Sequence, residues 1–199
     1  TTSMWQTHQH FWLEIIERLD AYPNVIAYEI LNEPPVASDL DYDRMGDYNT
    51  FMATEMRKLT DKYIIFNREA AATNYTRRPA LVPRIAPRNV PNVIFGPHVY
   101  WKGNFDDLTR SVPQWQEWSA LWNIPVFVGE WAADTQASVD TFVQTFNSNK
   151  WGWTWWRWIW FSLENVNRWG RQVFVNADGS ATTHLTYLTT TVERELVSF

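Results

Sequence analysis

An α/β protein is the fold class that this sequence predicts, with a parallel sheet covered on the outside by helices. Short apolar runs typical of buried strands alternate with longer segments whose apolar residues recur at helical spacing. Because strands connected through helices run parallel, this alternation indicates a parallel sheet with outer helices. A length of 199 residues and a hydrophobic content of 45% suit a core, and we predict a single domain over residues 1–199.

Five helices are predicted from apolar side chains that repeat every three or four residues. They cover residues 6–20, 44–62, 113–122, 137–149 and 183–197. Pro113 is expected in the first turn of the third helix, where a missing N–H costs little. Leu59 and Leu121 are expected to be buried on the second and third helices.

Five strands are predicted from short apolar runs, most of them rich in β-branched and aromatic residues. They cover residues 25–31, 63–67, 92–100, 124–130 and 151–161. Residues 70–92 contain four prolines and no periodicity, so we predict a long loop with at most a short helix.

Glutamates stand at the carboxyl ends of two of these strands. Glu33 lies within Asn32-Glu33-Pro34 after the first apolar run, and Glu130 ends the fourth strand. A retaining glycosidase requires two such groups, because one donates a proton to the leaving oxygen while the other attacks the sugar carbon. Taken alone, the first motif equally fits a polar strand end that precedes a turn.

A further carboxylate, Glu69, follows the second strand at the same end as Glu33. It is a candidate third carboxylate of the site. An ion pair with Arg68 or Arg77 is at least as good an interpretation.

Three motifs and a tryptophan-rich strand, in a fixed order, carry a resemblance to a known family. The motifs are Asn-Glu-Pro at residues 32–34, His-x-Tyr at 98–100 and Gly-Glu at 129–130. In this order they resemble the C-terminal portion of glycoside hydrolase family 5, the cellulase-like enzymes of the large (β/α)8-barrel clan. The resemblance implies that Glu33 is the acid/base at the end of the family's fourth strand and Glu130 the nucleophile at the end of its seventh.

The same resemblance implies roles for neighbouring side chains. Asn32 is expected to hydrogen-bond the 2-hydroxyl of the sugar. Tyr100 is expected to donate a hydrogen bond to the nucleophile, and His98 to hold a hydroxyl or orient a carboxylate. The chemistry calls for no metal and no organic cofactor.

The chain contains 14 tryptophans, six of them within residues 151–161. Flat, amphipathic indoles suit sugar faces, although most of them are expected to be core. The resemblance implies a tryptophan under the sugar at the cleavage point, with Trp156 as the first candidate and Trp158 as the second. Trp131, next to the nucleophile, is a further candidate for substrate binding.

The match to the family begins only at the barrel's third helix. We therefore predict a partial, reduced TIM-type barrel of about five parallel strands with outer helices, lacking the first three strands of the family barrel. Five strands cannot close an eight-stranded barrel. The chain is then a fragment of a longer enzyme, a reduced barrel that covers its open side by self-association, or a fold that has lost efficient catalysis. We favour a homo-oligomer.

The predicted function is a retaining β-glycoside hydrolase of the endo-β-1,4-glucanase type. Mannan, β-1,3-glucan or a glycoside attached to lipid are alternative substrates, and a β-glucan- or mannan-binding protein with a vestigial site is the alternative function. A net charge of −5 argues against a nucleic-acid partner. No run is long enough for a membrane span, and no signal peptide is visible. The location stays open, although a polysaccharide substrate favours the extracellular space.

Overall fold

The computed structural model describes residues 2–34, 38–67, 79–100, 107–132 and 136–156. The helices in these ranges are α1 (Thr2–Leu19), α2 (Asp39–Arg57), α3 (Asp107–Trp122) and α4 (Gln136–Ser148). The strands are β1 (Ala27–Glu29), β2 (Tyr63–Phe66), β3 (Val93–Phe95), β4 (His98–Tyr100), β5 (Phe127–Ala132) and β6 (Gly152–Trp155). A 3₁₀ helix, Pro79–Ile85, lies in the region predicted as a loop with at most a short helix.

Every pairing between these strands is parallel. They form two three-stranded sheets, β1-β2-β3 and β4-β5-β6. A parallel bridge between Phe95 and Val126 joins the two sheets, and the Phe95 N–H donates to the Pro125 carbonyl at 2.9 Å. The result is a partial TIM-type barrel, which confirms the predicted fold class.

The strand predicted over residues 92–100 is broken in the middle. The Gly96 N–H still donates to the Phe66 carbonyl of β2, whereas the Pro97 carbonyl accepts from the Gly129 N–H of β5. Because Pro97 has no N–H to donate, the ladder is interrupted between β3 and β4. An ideal β-carbon at Gly96 would lie 2.6 Å from Ile65 Cγ2, so a larger residue here would require Ile65 or the backbone to shift.

The core lies between the sheets and the helices, and aromatic side chains dominate it. Phe66 and Phe95 pack with ring centroids 5.6 Å apart, and Trp122 of α3 meets Phe95 edge-on. Trp131 of β5 stacks on Phe142 of α4 at 5.3 Å. The alternate residues of each strand that face the helices therefore bury large apolar area, which leaves the other face of the sheet for polar groups.

Several helix boundaries differ from the predicted ones. The second helix starts at Asp39, because the Ser38 N–H donates to the Asp41 carboxylate at 2.8 Å and closes the first turn. The third helix starts at Asp107, so Pro113 lies inside it rather than in its first turn. Leu59 and Leu121 are 40% and 65% exposed, and the prediction that they are buried is wrong.

Some predictions lie outside the described residues. These are the second half of the strand predicted over 151–161, the helix predicted over 183–197, and Glu69. None of the helices in the described part is long and apolar enough to cross a membrane.

Candidate active site

The first glutamate is held by the end of β1. The Ile30 N–H donates to the Ile65 carbonyl at 2.9 Å, and the Ile30 carbonyl accepts from the Trp12 indole N–H at 3.0 Å. Three residues later Glu33 has a φ of 39°, in a left-handed region that residues other than glycine seldom adopt. Such backbone costs about 1–3 kcal/mol and is typical of functional sites. This conformation was not predicted.

Trp12 belongs to a partly buried polar group between α1 and α2. Its N–H also approaches His8 Nε2 at 3.1 Å, while His8 Nδ1 is hydrogen-bonded to the Tyr48 hydroxyl. Burial lowers the pKa of His8 and raises the pKa of Tyr48 to about 12. His8 therefore has a structural role here, and the group fixes the helices against the strand that carries Glu33.

The second glutamate is presented by a bulge in β5. Val128 pairs with Trp153, and Trp131 pairs with Trp155. Between these two pairs, β5 contains one more residue than β6. Val128 and Trp131 both point into the core. The bulge thereby leaves two consecutive residues, Gly129 and Glu130, for the other face, a device common next to active sites.

His98 lies between the two glutamates. Its Nδ1 is 2.9 Å from Glu33 Oε1 and 3.6 Å from Glu130 Oε2. Glu130 also accepts a hydrogen bond from the Tyr100 hydroxyl. The closest carboxylate oxygens of Glu33 and Glu130 lie within 4.8 Å of each other. Strand ends far apart in sequence thus bring four predicted site residues into one cluster.

Gly129 allows the His98 ring to approach the β5 backbone. An ideal β-carbon at Gly129 would lie 3.0 Å from His98 Nε2 and 3.3 Å from Cδ2. The ring is therefore confined by the strand on one side and by carboxylates at Nδ1. This confinement keeps the side chain of His98 only 4% exposed.

A third carboxylate, Glu29, lies in the same region and was not predicted. It accepts a hydrogen bond from the Asn67 side-chain amide at the end of β2. Burial raises the pKa of Glu29, and the charge of His98 is the largest opposing effect. The charges of Glu130 and Glu33 add to the rise in the Glu29 pKa. The signal in the sequence was a glutamate inside an apolar run.

The three tryptophans predicted to bind sugar differ in where the structure places them. Trp131 is fully buried against α4 and β6, so a sugar cannot stack on it, and the prediction that it binds substrate is wrong. Its side chain alternates with that of Glu130 and faces the helices. Trp156 is 39% exposed just after β6, and its backbone N–H donates to the Trp131 carbonyl at 2.9 Å. Trp158 lies outside the described residues.

Asn32 is exposed beside Glu33, and its contact with a sugar stays a prediction. Among the residues that the structure describes, no lysine or arginine forms an ion pair with Glu130. Tyr100 and His98 are two groups in that part of the chain that face the Glu130 carboxylate, beside the Glu33 carboxylate.

The oxygen and nitrogen atoms of Glu33, His98 and Glu130 are also close enough to bind a divalent cation together. Two carboxylates and one imidazole are an ordinary donor set for such an ion. Proton transfer between a glutamic acid and a sugar oxygen needs no metal, however, and the same three residues suffice for it.

The comparisons with known proteins agree with this geometry. Several solved structures share the fold. Endo-glycoceramidase II from Rhodococcus sp., in a cellobiose-like imidazole complex, aligns with a TM-score of 0.68 at 15% identity over 92% of this chain and 45% of that one. An endogalactoceramidase aligns with a TM-score of 0.71 at 18% identity over the same shares. The mannotriose complex of Thermomonospora fusca β-mannanase gives 0.64 at 14% identity, over 90% and 59%.

This chain thus spans less than half the length of the two ceramidase structures. No curated protein matches the sequence. The family model described as Cellulase (glycosyl hydrolase family 5) matches residues 2–162, which includes both glutamates and all of the described part. The chain therefore belongs to glycoside hydrolase family 5.

Proposed function

We propose that this chain is a retaining β-glycoside hydrolase that cleaves β-1,4-glucan internally, as cellulases do. The observation that most supports a retaining mechanism is that carboxylate oxygens of Glu33 and Glu130 lie within 4.8 Å of each other. Retaining enzymes hold their two carboxyl groups about 5–5.5 Å apart, whereas inverting enzymes need about 6.5–9.5 Å to admit a water molecule. The gap here favours direct attack on the sugar.

In the first step Glu130 attacks the anomeric carbon, and the bond from that carbon to the leaving oxygen breaks. Glu33 gives its proton to the leaving oxygen, so the released chain end carries a hydroxyl. The Tyr100 hydroxyl, which donates to Glu130 Oε2, orients the nucleophile, and the electron pair of the new bond comes from the carboxylate.

In the second step water attacks the same carbon of the glycosyl-enzyme. Glu33, now ionised, accepts a proton from that water, and the bond to Glu130 breaks. Both carboxyl groups return to their starting protonation states. His98, within hydrogen-bond distance of Glu33, holds the acid/base in position through both steps. No cofactor enters either step.

Sugar binding falls to side chains at the same edge of the sheet. We assign Asn32 to the 2-hydroxyl, because it is exposed directly beside Glu33. Trp156, 39% exposed just after β6, is our first candidate for stacking on a sugar, with Trp158 as the second. Stacking of a sugar on an indole buries apolar C–H groups without losing hydroxyl hydration.

A carbohydrate-binding protein without turnover is the second candidate. It is favoured by the observation that, within the described ranges, no positively charged arginine or lysine supports the Glu130 carboxylate. A site that binds β-glucan or mannan through tryptophans would keep affinity without needing an activated nucleophile.

Reducing-sugar release separates the two candidates. We would test carboxymethylcellulose, mannan, β-1,3-glucan and a glycosphingolipid with the wild type, Glu33→Gln, Glu130→Gln and the exposed control Glu14→Gln. A hydrolase requires that both site variants lose at least about a hundredfold in rate while the control does not. If all proteins release nothing and the wild type still binds a glycan, the binding function is correct.

An aryl glycoside sharpens the assignment of roles. A nitrophenolate leaves without a proton, so Glu33→Gln should lose far less activity on it in the first step than on cellulose. Glu130→Gln should lose activity equally on both, because every leaving group needs the nucleophile. If Glu130→Gln instead kept activity on the aryl glycoside and Glu33→Gln lost it on both substrates, Glu130 would be the acid/base and Glu33 the nucleophile.

A further inference from the structure

The bulge in β5 that presents Glu130 lies opposite a single residue of β6. Between the two strand pairs that flank the bulge, β5 contains Gly129 and Glu130, whereas β6 contains Thr154 alone. The Thr154 hydroxyl donates a hydrogen bond to the Gly129 carbonyl. Because a bulge disrupts the regular ladder, this side chain adds a link between the strands where backbone pairing is weakest. The two-glutamate reaction gives Thr154 no part.

The Thr154 side chain lies on the same face of the sheet as Glu130. Its neighbours Trp153 and Trp155 both pack against the buried Trp131 on the helix side, with ring centroids 5.4 and 4.5 Å from it. Because successive side chains of a strand point to opposite faces, Thr154 belongs to the face that carries the site. It is exposed there, and its hydroxyl is directed to the backbone of β5.

Gly129 is held at both of its backbone polar groups. Its N–H donates to the Pro97 carbonyl at 3.1 Å, and its carbonyl accepts from Thr154. That carbonyl belongs to the same planar peptide as the Glu130 N–H. Fixing the carbonyl therefore fixes the orientation of the backbone that carries the Glu130 side chain. Since Gly129 has no β-carbon, it would otherwise allow this peptide to rotate with little steric resistance.

The orientation of this peptide affects where the Glu130 carboxylate lies. Glu130 Oε2 accepts a hydrogen bond from the Tyr100 hydroxyl and lies 3.6 Å from His98 Nδ1. Both of these partners belong to β4, so they hold the end of the side chain, whereas Thr154 on β6 holds its base. A nucleophile requires such precision, because a misplacement of about 1 Å can cost a hundredfold in rate.

We propose that Thr154 is a positioning residue for the nucleophile. Its hydroxyl locks the peptide between Gly129 and Glu130 and so keeps the Glu130 carboxylate aligned for attack on the sugar carbon. The inference rests on the proposed hydrolase function, because that reaction is what requires Glu130 as a nucleophile. Thr154 acts through Glu130 rather than on the sugar.

Removal of this one hydroxyl tests the proposal. Thr154→Val keeps the β-branched shape of the side chain, and we expect kcat to fall by about tenfold with little change in KM, because alignment of the nucleophile matters in the transition state. Thr154→Ser keeps the hydroxyl and should restore most of the wild-type kcat, although serine is the poorer strand former. Thr141→Val is the matched control, since the Thr141 hydroxyl donates to the Ala137 carbonyl at 2.8 Å on the surface of α4. It should leave kcat unchanged.

Three results would overturn the proposal. The first is a kcat of Thr154→Val equal to that of the wild type. The second is a Thr154→Ser variant as slow as Thr154→Val, because the methyl group rather than the hydroxyl would then matter. The third is a kcat that follows the urea stability of the variants, since loss of folded protein would then explain the loss of rate.

Hydrogen exchange of single amides tests the same bond even if no substrate is cleaved. The Gly129 N–H, which donates to Pro97, should exchange at least about fivefold faster in Thr154→Val and at the wild-type rate in Thr154→Ser. The Phe95 N–H, bonded to the Pro125 carbonyl at 2.9 Å, is the reference amide and should not change. An inactive wild type with this pattern would refute the hydrolase function and keep the anchoring of the bulge by Thr154. An active wild type whose Gly129 exchange is the same in all variants would refute the role of Thr154 and keep the hydrolase.

Discussion

Replacing Gly129 by alanine tests whether the site depends on the close approach of the His98 ring to the β5 backbone. The new β-carbon would stand 3.0 Å from His98 Nε2 and 3.3 Å from Cδ2. Favourable contacts between such atoms begin near 3.5 Å, so the ring must retreat by about 0.5 Å. The backbone of Gly129 does not require a left-handed conformation, and any effect therefore comes from the clash.

The retreat should affect stability and activity separately. Overpacking of this size costs about 1–3 kcal/mol in the free energy of unfolding. The hydrogen bond from His98 Nδ1 to Glu33, 2.9 Å in length, would stretch toward the limit of such bonds. Because a misplacement of about 1 Å at a site can cost a hundredfold in rate, we expect kcat/KM to fall by about tenfold.

Gly152→Ala is the matched control. Its β-carbon would stand 2.7 Å from Phe127 Cδ2, a clash at least as severe that involves no member of the cluster. Urea unfolding and reducing-sugar release on both variants form the assay. The two should lose similar stability, and only Gly129→Ala should lose activity beyond what its unfolded fraction explains. Equal kcat/KM in the two folded variants would refute the role given to the His98 packing.

Three further predictions concern the core and the assembly. Trp131→Ala should lower the free energy of unfolding by about 3–5 kcal/mol, because the indole is fully buried, and a loss below about 1 kcal/mol would place it outside the core. Trp12→Phe removes the N–H shared by His8 and the Ile30 carbonyl and should cost about 1–3 kcal/mol; unchanged urea stability would contradict those bonds. Light scattering of the full chain should give the mass of a dimer or larger oligomer, since β1 is an edge strand in the described part. A monomeric mass would contradict the predicted self-association.

The sequence was sufficient to predict that Glu33 and Glu130 meet, because parallel strands bring their carboxyl ends to one edge of the sheet, although β5 continues past Glu130 to Ala132. Asn32-Glu33-Pro34 and Gly129-Glu130 each follow a short apolar run, and the two carboxylates meet as expected. Local pattern reading works here because burial on both faces of a parallel strand gives continuous apolar runs.

What the sequence could not provide depends on contacts between distant strands. The positive φ of Glu33 and the bulge at Gly129 arise from tertiary packing, and no local pattern marks them. The burial of Trp131 follows from that bulge, which keeps Val128 and Trp131 on the helix side. Glu29 was visible as a carboxylate inside an apolar run, but its partner Asn67 lies on another strand.

The central claim is that Glu130 forms a bond to the sugar, while Glu33 donates a proton in the first step and accepts one in the second. Trapping with an activated 2-deoxy-2-fluoro β-glycoside tests it directly, because fluorine slows the second step and lets the glycosyl-enzyme accumulate. Peptide mass spectrometry should find one added sugar on the peptide that contains Glu130, and none in Glu130→Gln. A sugar on another carboxylate, or turnover of natural substrate with inversion at the anomeric carbon, would contradict the account.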